Sequence, residues 1–530
     1  MAEEVPQKKK PGITKRVLKY IGLGLLSLVL AVAVVFQAPW KVITLLAVVL
    51  LACTILPKPA RKWFWISVGA VAAGLVVWVF LPDSDSGDWR VFTFDDELAA
   101  LQAKRAIPDS ENAAIIYNRL LDSYQEDACE PNFVDDDRYD ITASEFWTSE
   151  DHPEIAQWLK ARQGTIDGLL QACEIEECRF PIAADIWTLD GSMDRLPQMR
   201  SWARLLVRVG NNDIGEGRID AGFEKYMAVL QMAEHLCQQP TMVDLLVAMA
   251  CEAVALKQFN RFVVTGNATE ENLRFIQQIL AKNKHIWSSD LPGILDCEKL
   301  MLKNLWGMFY QTNGKGKVRL TRDPTAAMRA QVPQDAPQLT YWQKKLIRAG
   351  TILQWFYMPS TPQKLANIID IGYERLYAMA EPEFQWDREP ERVSVTQIKF
   401  NYRYLIQHMT NIIEPAYCKV RDLYLRIGAD NIGSRIVIAL RRYKNEKGNW
   451  PESLDDVRDL MPAEIFVDPI NDGCFVYKLT DDGFTLYSKG KNNIDEEGQR
   501  ENEDECGPDD RLIWPQKSRH AEKVDENNEG

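Results

Sequence analysis

The sequence predicts a mainly α fold in three parts: an N-terminal three-helix transmembrane segment, an irregular α-helical soluble body and a small α+β C-terminal module with a β-hairpin. Three features predict it. Apolar runs without acidic residues fill most of residues 17–82, apolar residues recur at helical spacing from about residue 90, and alternation around an Asp-Gly turn is confined to residues 475–486. The chain has 530 residues, too many for one hydrophobic core when domains run roughly 100–200 residues.

Val17–Phe36 is a run of twenty residues without an acidic group. At about 1.5 Å per residue it can cross a hydrocarbon core of roughly 30 Å, and Lys19 can snorkel to the interface. Trp63–Leu81 is a second clear span, with Trp63, Phe64 and Trp65 at one end and Trp78 and Phe80 at the other, where amphipathic rings favour the interface. Val42–Leu56, fifteen residues long, is marginal by length, so charge has to decide. Lys8, Lys9, Lys10, Lys15, Arg16 and Lys19 lie at the start of the first span, Lys58, Arg61 and Lys62 lie between the second and third, and only Lys41 falls in the first loop. Three crossings keep both basic clusters inside and place Asp83-Ser-Asp-Ser-Gly-Asp88 outside. Residues 1–16 are then a cytoplasmic basic tail and 17–82 three transmembrane helices. The expected location is the inner (cytoplasmic) membrane, multi-pass, with the soluble body periplasmic or extracytoplasmic. A cleaved signal peptide fits less well, because the first run is long, lacks a small-residue cleavage site and is followed by more spans.

Residues 1–82 hold ten Lys/Arg and two Asp/Glu, which leaves 52 basic and 74 acidic side chains beyond them, a formal −22. Phosphate backbones would be repelled, so nucleic-acid binding is excluded as the expected function. Nine of the ten cysteines lie beyond the membrane segment, an odd number that leaves at least one unpaired within the chain. Cys173 and Cys178 are the best local pair, either a disulfide or two buried thiols. Five residues apart, they would sit about 140° apart on an ideal helix, so a bridge needs Glu174–Glu177 to form a turn. No second CxxC or HxxxH supplies a zinc pattern.

Residues 83–311 read as successive amphipathic helices. Trp202, Leu205, Leu206 and Val209 form one stripe, Phe223, Tyr226, Met227 and Leu230 another, Met242, Leu245, Leu246 and Met249 a third, and Leu273, Ile276 and Leu280 a fourth. Asp109-Ser-Glu111 and Thr269-Glu-Glu271 are helix starts. No 34-residue period is sustained, so a helical repeat array is not expected. Residues 312–345 read as a linker, rich in Gly and Pro, with Lys315, Lys317, Arg319 and Arg322 suited to solvation or to anionic headgroups. Residues 346–430 supply further helices, one from Pro362 to Met379 capped by Ser360 or Thr361.

The α+β module spans 431–516, and 517–530 is a disordered tail. Ile432, Ile436, Ala439, Leu440 and Tyr443 share a helix face that Lys447-Gly448 ends, and Pro451-Glu-Ser-Leu454 opens a short helix. Phe475, Tyr477 and Leu479, then Phe484 and Leu486, alternate on either side of Asp482-Gly483, a hairpin signature. In their order, Ala439-Leu-Arg-Arg-Tyr443, Gly448-Asn-Trp-Pro451, Asp468-Pro469, Phe484-Thr-Leu-Tyr-Ser-Lys-Gly490 and Asp509-Asp-Arg-Leu-Ile-Trp-Pro515 resemble the globular domain of type II secretion major pseudopilins. The remainder, with Cys178-Arg-Phe-Pro181 and Met199-Arg-Ser-Trp-Ala-Arg-Leu-Leu206, is similar to bacterial membrane-anchored helical proteins, which implies no activity. The pseudopilin resemblance implies a calcium site in the loop after the Leu-Tyr-Ser strand. That loop offers Asp495, Glu496, Glu497, Asp504, Glu505, Asp509 and Asp510, and the expected ligands are Asp495, Glu497, Asp504 and Asp510. Two departures stand out: Lys491-Asn-Asn493 replaces the family's Asp-Gly, and the module follows a helical body, which speaks against pseudopilin-like polymerisation.

No HExxH, GxSxG, Walker or GxGxxG motif is present. Ser488-Lys-Gly-Lys491 fits SxxK but ends a strand, and His152, His235, His285, His408 and His520 have no metal spacing. Asp135-Asp-Asp137 with Asp140 reads as an exposed acidic turn. The expected function is a membrane-anchored extracytoplasmic interaction or scaffold protein whose partners are the lipid bilayer and another protein, with no nucleic acid and no identified small-molecule substrate. The alternative is a cell-envelope hydrolase with an unrecognised site in the helical body.

Overall fold

Helices form where the apolar stripes fall. The computed structural model describes residues 89–123, 137–182, 195–282, 287–321, 358–381, 402–481, 483–499 and 509–515, with seven helical positions between residues 62 and 70. Apart from those seven, the three expected spans lie outside the described residues, and among the described residues no helix is long and apolar enough to cross a membrane. The described chain is mostly helical with two small antiparallel sheets.

In chain order the elements are β1 (Trp89–Val91), α1 (Asp95–Arg105), α2 (Ala114–Asp122), α3 (Asp137–Ser144), α4 (Pro153–Lys160), α5 (Gln163–Cys173), α6 (Arg195–Gly215), α7 (Ile219–Cys237), α8 (Met242–Thr265), α9 (Glu270–Lys282) and α10 (Trp287–Gly307). Then come β2 (Tyr310–Asn313), β3 (Val318–Leu320), α11 (Pro362–Ala378), α12 (Tyr402–Lys447), β4 (Val476–Thr480), β5 (Gly483–Ser488) and β6 (Arg511–Trp514). Two compact units share them: one holds Met1–Asp95, Lys299–Ala378 and Gln385–Pro415, the other Asp96–Glu298, Met379–Phe384 and Ala416–Gly530. The division falls inside α10 and inside α12, at Pro415.

The larger unit is built on α6, α7 and α8. Every residue of the Phe223 stripe except Met227 is buried, and Leu273, Ile276 and Leu280 of α9 are fully so, each worth roughly 1.5–3 kcal/mol in transfer from water. Phe223 gathers Phe259, Phe262 and Phe275 around it at ring-centroid distances of 5.8, 4.9 and 5.9 Å. Thr241 starts α8 by accepting the Asp244 amide, an N-cap worth about 1 kcal/mol. At Thr269 the hydroxyl accepts the Asn272 amide while its own amide donates to Asn272 Oδ1.

The C-terminal module belongs to this unit. Ile436 to Leu440 of α12 are fully buried at five consecutive positions, the mark of a helix covered on all sides. One cover is the sheet β4-β5-β6. Gly433 permits it, because a Cβ there would meet Ile513 of β6 at 2.9 Å. Trp450, Tyr477 and Trp514 surround Phe484 at 4.8, 5.6 and 6.5 Å, so the Gly-Asn-Trp-Pro turn packs on the hairpin. The helix ends at Gly448, whose φ of 86° suits a residue without a Cβ. The other cover is the helical body: Arg441 donates to the Val264 and Gly266 carbonyls at the end of α8 (3.2 and 2.8 Å), Asn445 to the Ala268 carbonyl (2.9 Å), and Arg442 to Glu270 and Gln277. Arg511 of β6 ties back to α12 through both oxygens of Asp430.

The smaller unit holds the sheet β1-β2-β3. Residues 310–320 are a hairpin, where the sequence reading placed the start of the linker. Its turn closes on Asn313, whose Oδ1 accepts the amides of Lys315 and Lys317 (3.1 and 2.9 Å). Tyr310 is fully buried and donates to the Pro359 carbonyl, beside α11, which Thr361 caps through the Lys364 amide as expected. Lys303 of α10 pairs with Asp370 of α11 at 2.9 Å.

Candidate functional site

The acidic loop follows β5. Asp495 accepts the Tyr487 hydroxyl at 2.6 Å and the Glu497 amide at 3.0 Å, bonds that hold its carboxyl below the usual carboxylate range. Glu497 is exposed, with backbone in the left-handed region at φ 61°, and Asp504 lies outside the described residues. Asp510 is 1% exposed, and its Oδ2 accepts the amides of Glu496 and Gly498 (3.0 and 2.8 Å). Asp509 does the same through Oδ2 for Lys491 and, more weakly, Asn492, while Glu496 accepts the Asp509 amide. The loop is therefore laced to the start of β6 by carboxylate-to-amide bonds, which satisfy backbone donors that no sheet partner reaches.

Two oxygens remain over. Oδ1 of Asp509 and Oδ1 of Asp510 are both buried without a hydrogen-bond partner. Burial pushes the Asp510 carboxyl up, and the charges of Glu496 and Asp495 add to that. Orphaned carboxylate oxygens in an acidic loop are donors of the kind Ca²⁺ takes. The expected Asp495, Glu497 and Asp510 are not gathered, however: among the described residues no group of three or more His, Cys, Asp or Glu is placed to hold a metal.

A second polar cluster lies inside the helical body, where sequence patterns gave no signal. His235 is fully buried on α7, and burial lowers its pKa to about 4. Its Nε2 lies 2.8 Å from the Ile175 carbonyl and 3.0 Å from the Gln231 side-chain amide, and its Nδ1 lies 3.0 Å from the Tyr117 hydroxyl; a proton on Nε2 serves the carbonyl and leaves Nδ1 to accept from Tyr117. Cys173 Sγ donates to the Ala228 carbonyl at 3.2 Å and lies 3.6 Å from the same hydroxyl. Burial drives the Cys173 and Cys178 thiols up to about 12 and Tyr117 well above its ordinary value. At neutral pH the cluster thus holds a thiol, a phenol and a neutral imidazole, and lacks the thiolate that nucleophilic chemistry needs. Cys173 and Cys178 are both free, Cys178 buried and Cys173 half-buried, with no bridge between them.

The neighbouring Cys178-Arg-Phe-Pro181 stretch is irregular, and the two residues that follow α7 supply its hydrogen bonds. Gln238 Oε1 accepts the Cys178 amide and Arg179 (2.7 and 2.5 Å), while Gln239 accepts the Phe180 amide and Arg105 (3.2 and 3.1 Å) and donates to the Cys178 carbonyl (2.9 Å). Arg105 also reaches the carbonyls of Phe180 and Gln238. These side chains strap a loop to a helix end, and each is occupied in doing so. No family model, no curated protein and no solved structure matches the chain.

Proposed function

We propose that the chain is a membrane-anchored extracytoplasmic interaction or scaffold protein in which a helical body carries a pseudopilin-like module as a fixed part. The observation that carries this is α12. From Ala416 onward this one helix is core to both the module and the body. Besides the Arg441 contacts, it is clasped to α10 by two rungs: Tyr424 donates to Asp290 at 2.6 Å, and Tyr417 donates to Glu298. Asp290 and Glu298 stand eight residues apart and the tyrosines seven, two turns in each case, so the helices run antiparallel. A module held this way presents a surface at a fixed orientation to the body it shares a core with. The anchor is supported by helical positions Trp63, Trp65 and Ile66, which are 68, 48 and 47% exposed, as large apolar groups facing lipid would be. Calcium remains part of the proposal, with Asp509 and Asp510 as the loop's cation-facing carboxylates in place of Asp495 and Glu497.

Affinity capture of the full chain from crosslinked membranes tests the reading. A reproducible protein partner is expected. Capture that returns none across replicates would overturn it.

A further inference from the structure

The β1-β2-β3 sheet has two unlike faces. Register places Trp89 opposite Asn313, Val91 opposite Gln311, and Gln311 opposite Arg319, so Trp89, Val91, Gln311, Asn313 and Arg319 share one face. The opposite face carries the fully buried Tyr310. Arg90 on that opposite face is exposed as well, and on the first face Val91 is 39% exposed. On it the Arg319 guanidinium lies 3.9 Å over the Trp89 ring and donates to Gln311, while Lys315 and Lys317 are exposed in the turn. An aromatic ring, an apolar side chain and fixed cations on one flat surface have the composition of a membrane interface.

Charge and tether point the same way. Residues 299–378 hold twelve Lys/Arg and four Asp/Glu, in a body that is otherwise strongly acidic. Neither the three strands nor the β2–β3 turn contains an acidic residue. Seven residues separate the end of the third expected span, Leu81, from Trp89, and so short a stretch reaches roughly 28 Å at most. Asp83, Asp85 and Asp88 within it oppose an anionic surface, so the attraction rests on the excess of hairpin cations over these three.

We propose that the face of this sheet that holds Trp89, Val91 and Arg319, together with Lys315 and Lys317 of its turn, is a contact surface for anionic phospholipid headgroups. The proposal rests on the membrane-anchor reading. Each lysine near such a surface contributes an attraction that salt screens within a Debye length.

The test is hydrogen exchange of the full chain in nanodiscs of phosphatidylcholine alone or with added phosphatidylglycerol, read at residues 310–320. Exchange should slow by roughly fivefold or more in the anionic discs, the factor a single lysine supplies. The slowing should vanish in high salt and in K315Q/K317Q. Those exposed turn positions leave the hairpin intact, which unchanged exchange of the variant in neutral discs would verify. A chain that does not enter discs overturns the anchor and this proposal together. A chain that enters but exchanges equally in both lipids overturns this proposal alone, as does slowing that needs other membrane proteins, which would assign the cations to an acidic polypeptide.

Discussion

His235 shows how a single residue converts burial into pH dependence. Its folded pKa of about 4 lies below the ordinary 6.5, so between those values the unfolded chain binds more protons than the folded one. The stability this neutral imidazole contributes is present above pH 6.5 and is lost as pH falls toward 4, in total about 3 kcal/mol. Tyr117 faces it uncharged, and Arg179 lowers its pKa further. Burial raises Asp244 and Glu298, whose effect runs the opposite way, so the difference between wild type and His235→Asn is the informative curve. Chemical unfolding across that range should show the difference shrinking with acid, and a constant difference would refute the assignment. The thiols give a second residue-scale prediction. The buried Cys178 should resist alkylation in the folded chain with or without reductant, and both Cys173 and Cys178 should label in denaturant without it. Labelling that requires reductant would restore the bridge. Neither outcome was readable from spacing, because the partners of Cys173 are a tyrosine 56 residues away and a carbonyl 55 residues away.

Elements with a local signal were legible in the sequence, and elements made by distant strands were not. The stripes, the caps at Thr269 and Thr361, the stop at Gly448 and the β4–β5 hairpin all depend on neighbours within a few positions. β1 is three residues long and pairs with a strand more than two hundred residues on, so no window contains its reason for being extended. β2 and β3 pair locally, but at four and three residues they are too short to show alternation, and the Gly314-Lys-Gly-Lys317 turn between them reads as linker. The stripe of Ile432, Ile436, Ala439, Leu440 and Tyr443 reads as a helix of the module alone, whereas it is the end of one helix that runs from Tyr402 to Lys447. Sharing α12 has a mechanical consequence. Tyr424→Phe should cost about 1 kcal/mol, and Arg441→Ala, which strips donors from two carbonyls, about 1–3 kcal/mol. In both, β4–β5 and α8 should lose hydrogen-exchange protection in one step, and two separate transitions would show that the module folds alone. The acidic loop permits a test of sign. With chelator at neutral pH, Asp510→Asn should be at least as stable as wild type, because burial and nearby charge already penalise the ionised carboxylate. That penalty is absent below the ordinary carboxylate range and sets in as pH rises through the raised value. With calcium, wild type should gain about 2.7 kcal/mol at a hundredfold excess over Kd and the variant should not. Equal midpoints for wild type in calcium and chelator would leave the carboxylates as a purely structural lace.

At the scale of the whole molecule, charge is segregated along the chain, and that segregation fixes a prediction about topology. Ten Lys/Arg and two Asp/Glu precede residue 83, while the remainder carries a formal −22. Lys/Arg close to membrane ends are retained on the cytoplasmic side, whereas acidic residues contribute little to orientation. The decisive group is therefore Lys58, Arg61 and Lys62, because the fifteen apolar residues of Val42–Leu56 are too few to settle by length whether the chain crosses twice or three times. Two crossings would leave those three cations outside. Three keep them inside and carry the acidic body across. An alkaline phosphatase fused after Gly530 should accordingly be active, and a reporter that needs the cytoplasm should be silent. Replacing Lys58, Arg61 and Lys62 together by Gln removes the retention signal of the second loop and should yield a mixed population, with part of the fusion now cytoplasmic. Strong cytoplasmic activity from the unaltered chain would overturn the three-span topology, and with it the extracytoplasmic placement of both the helical body and the module.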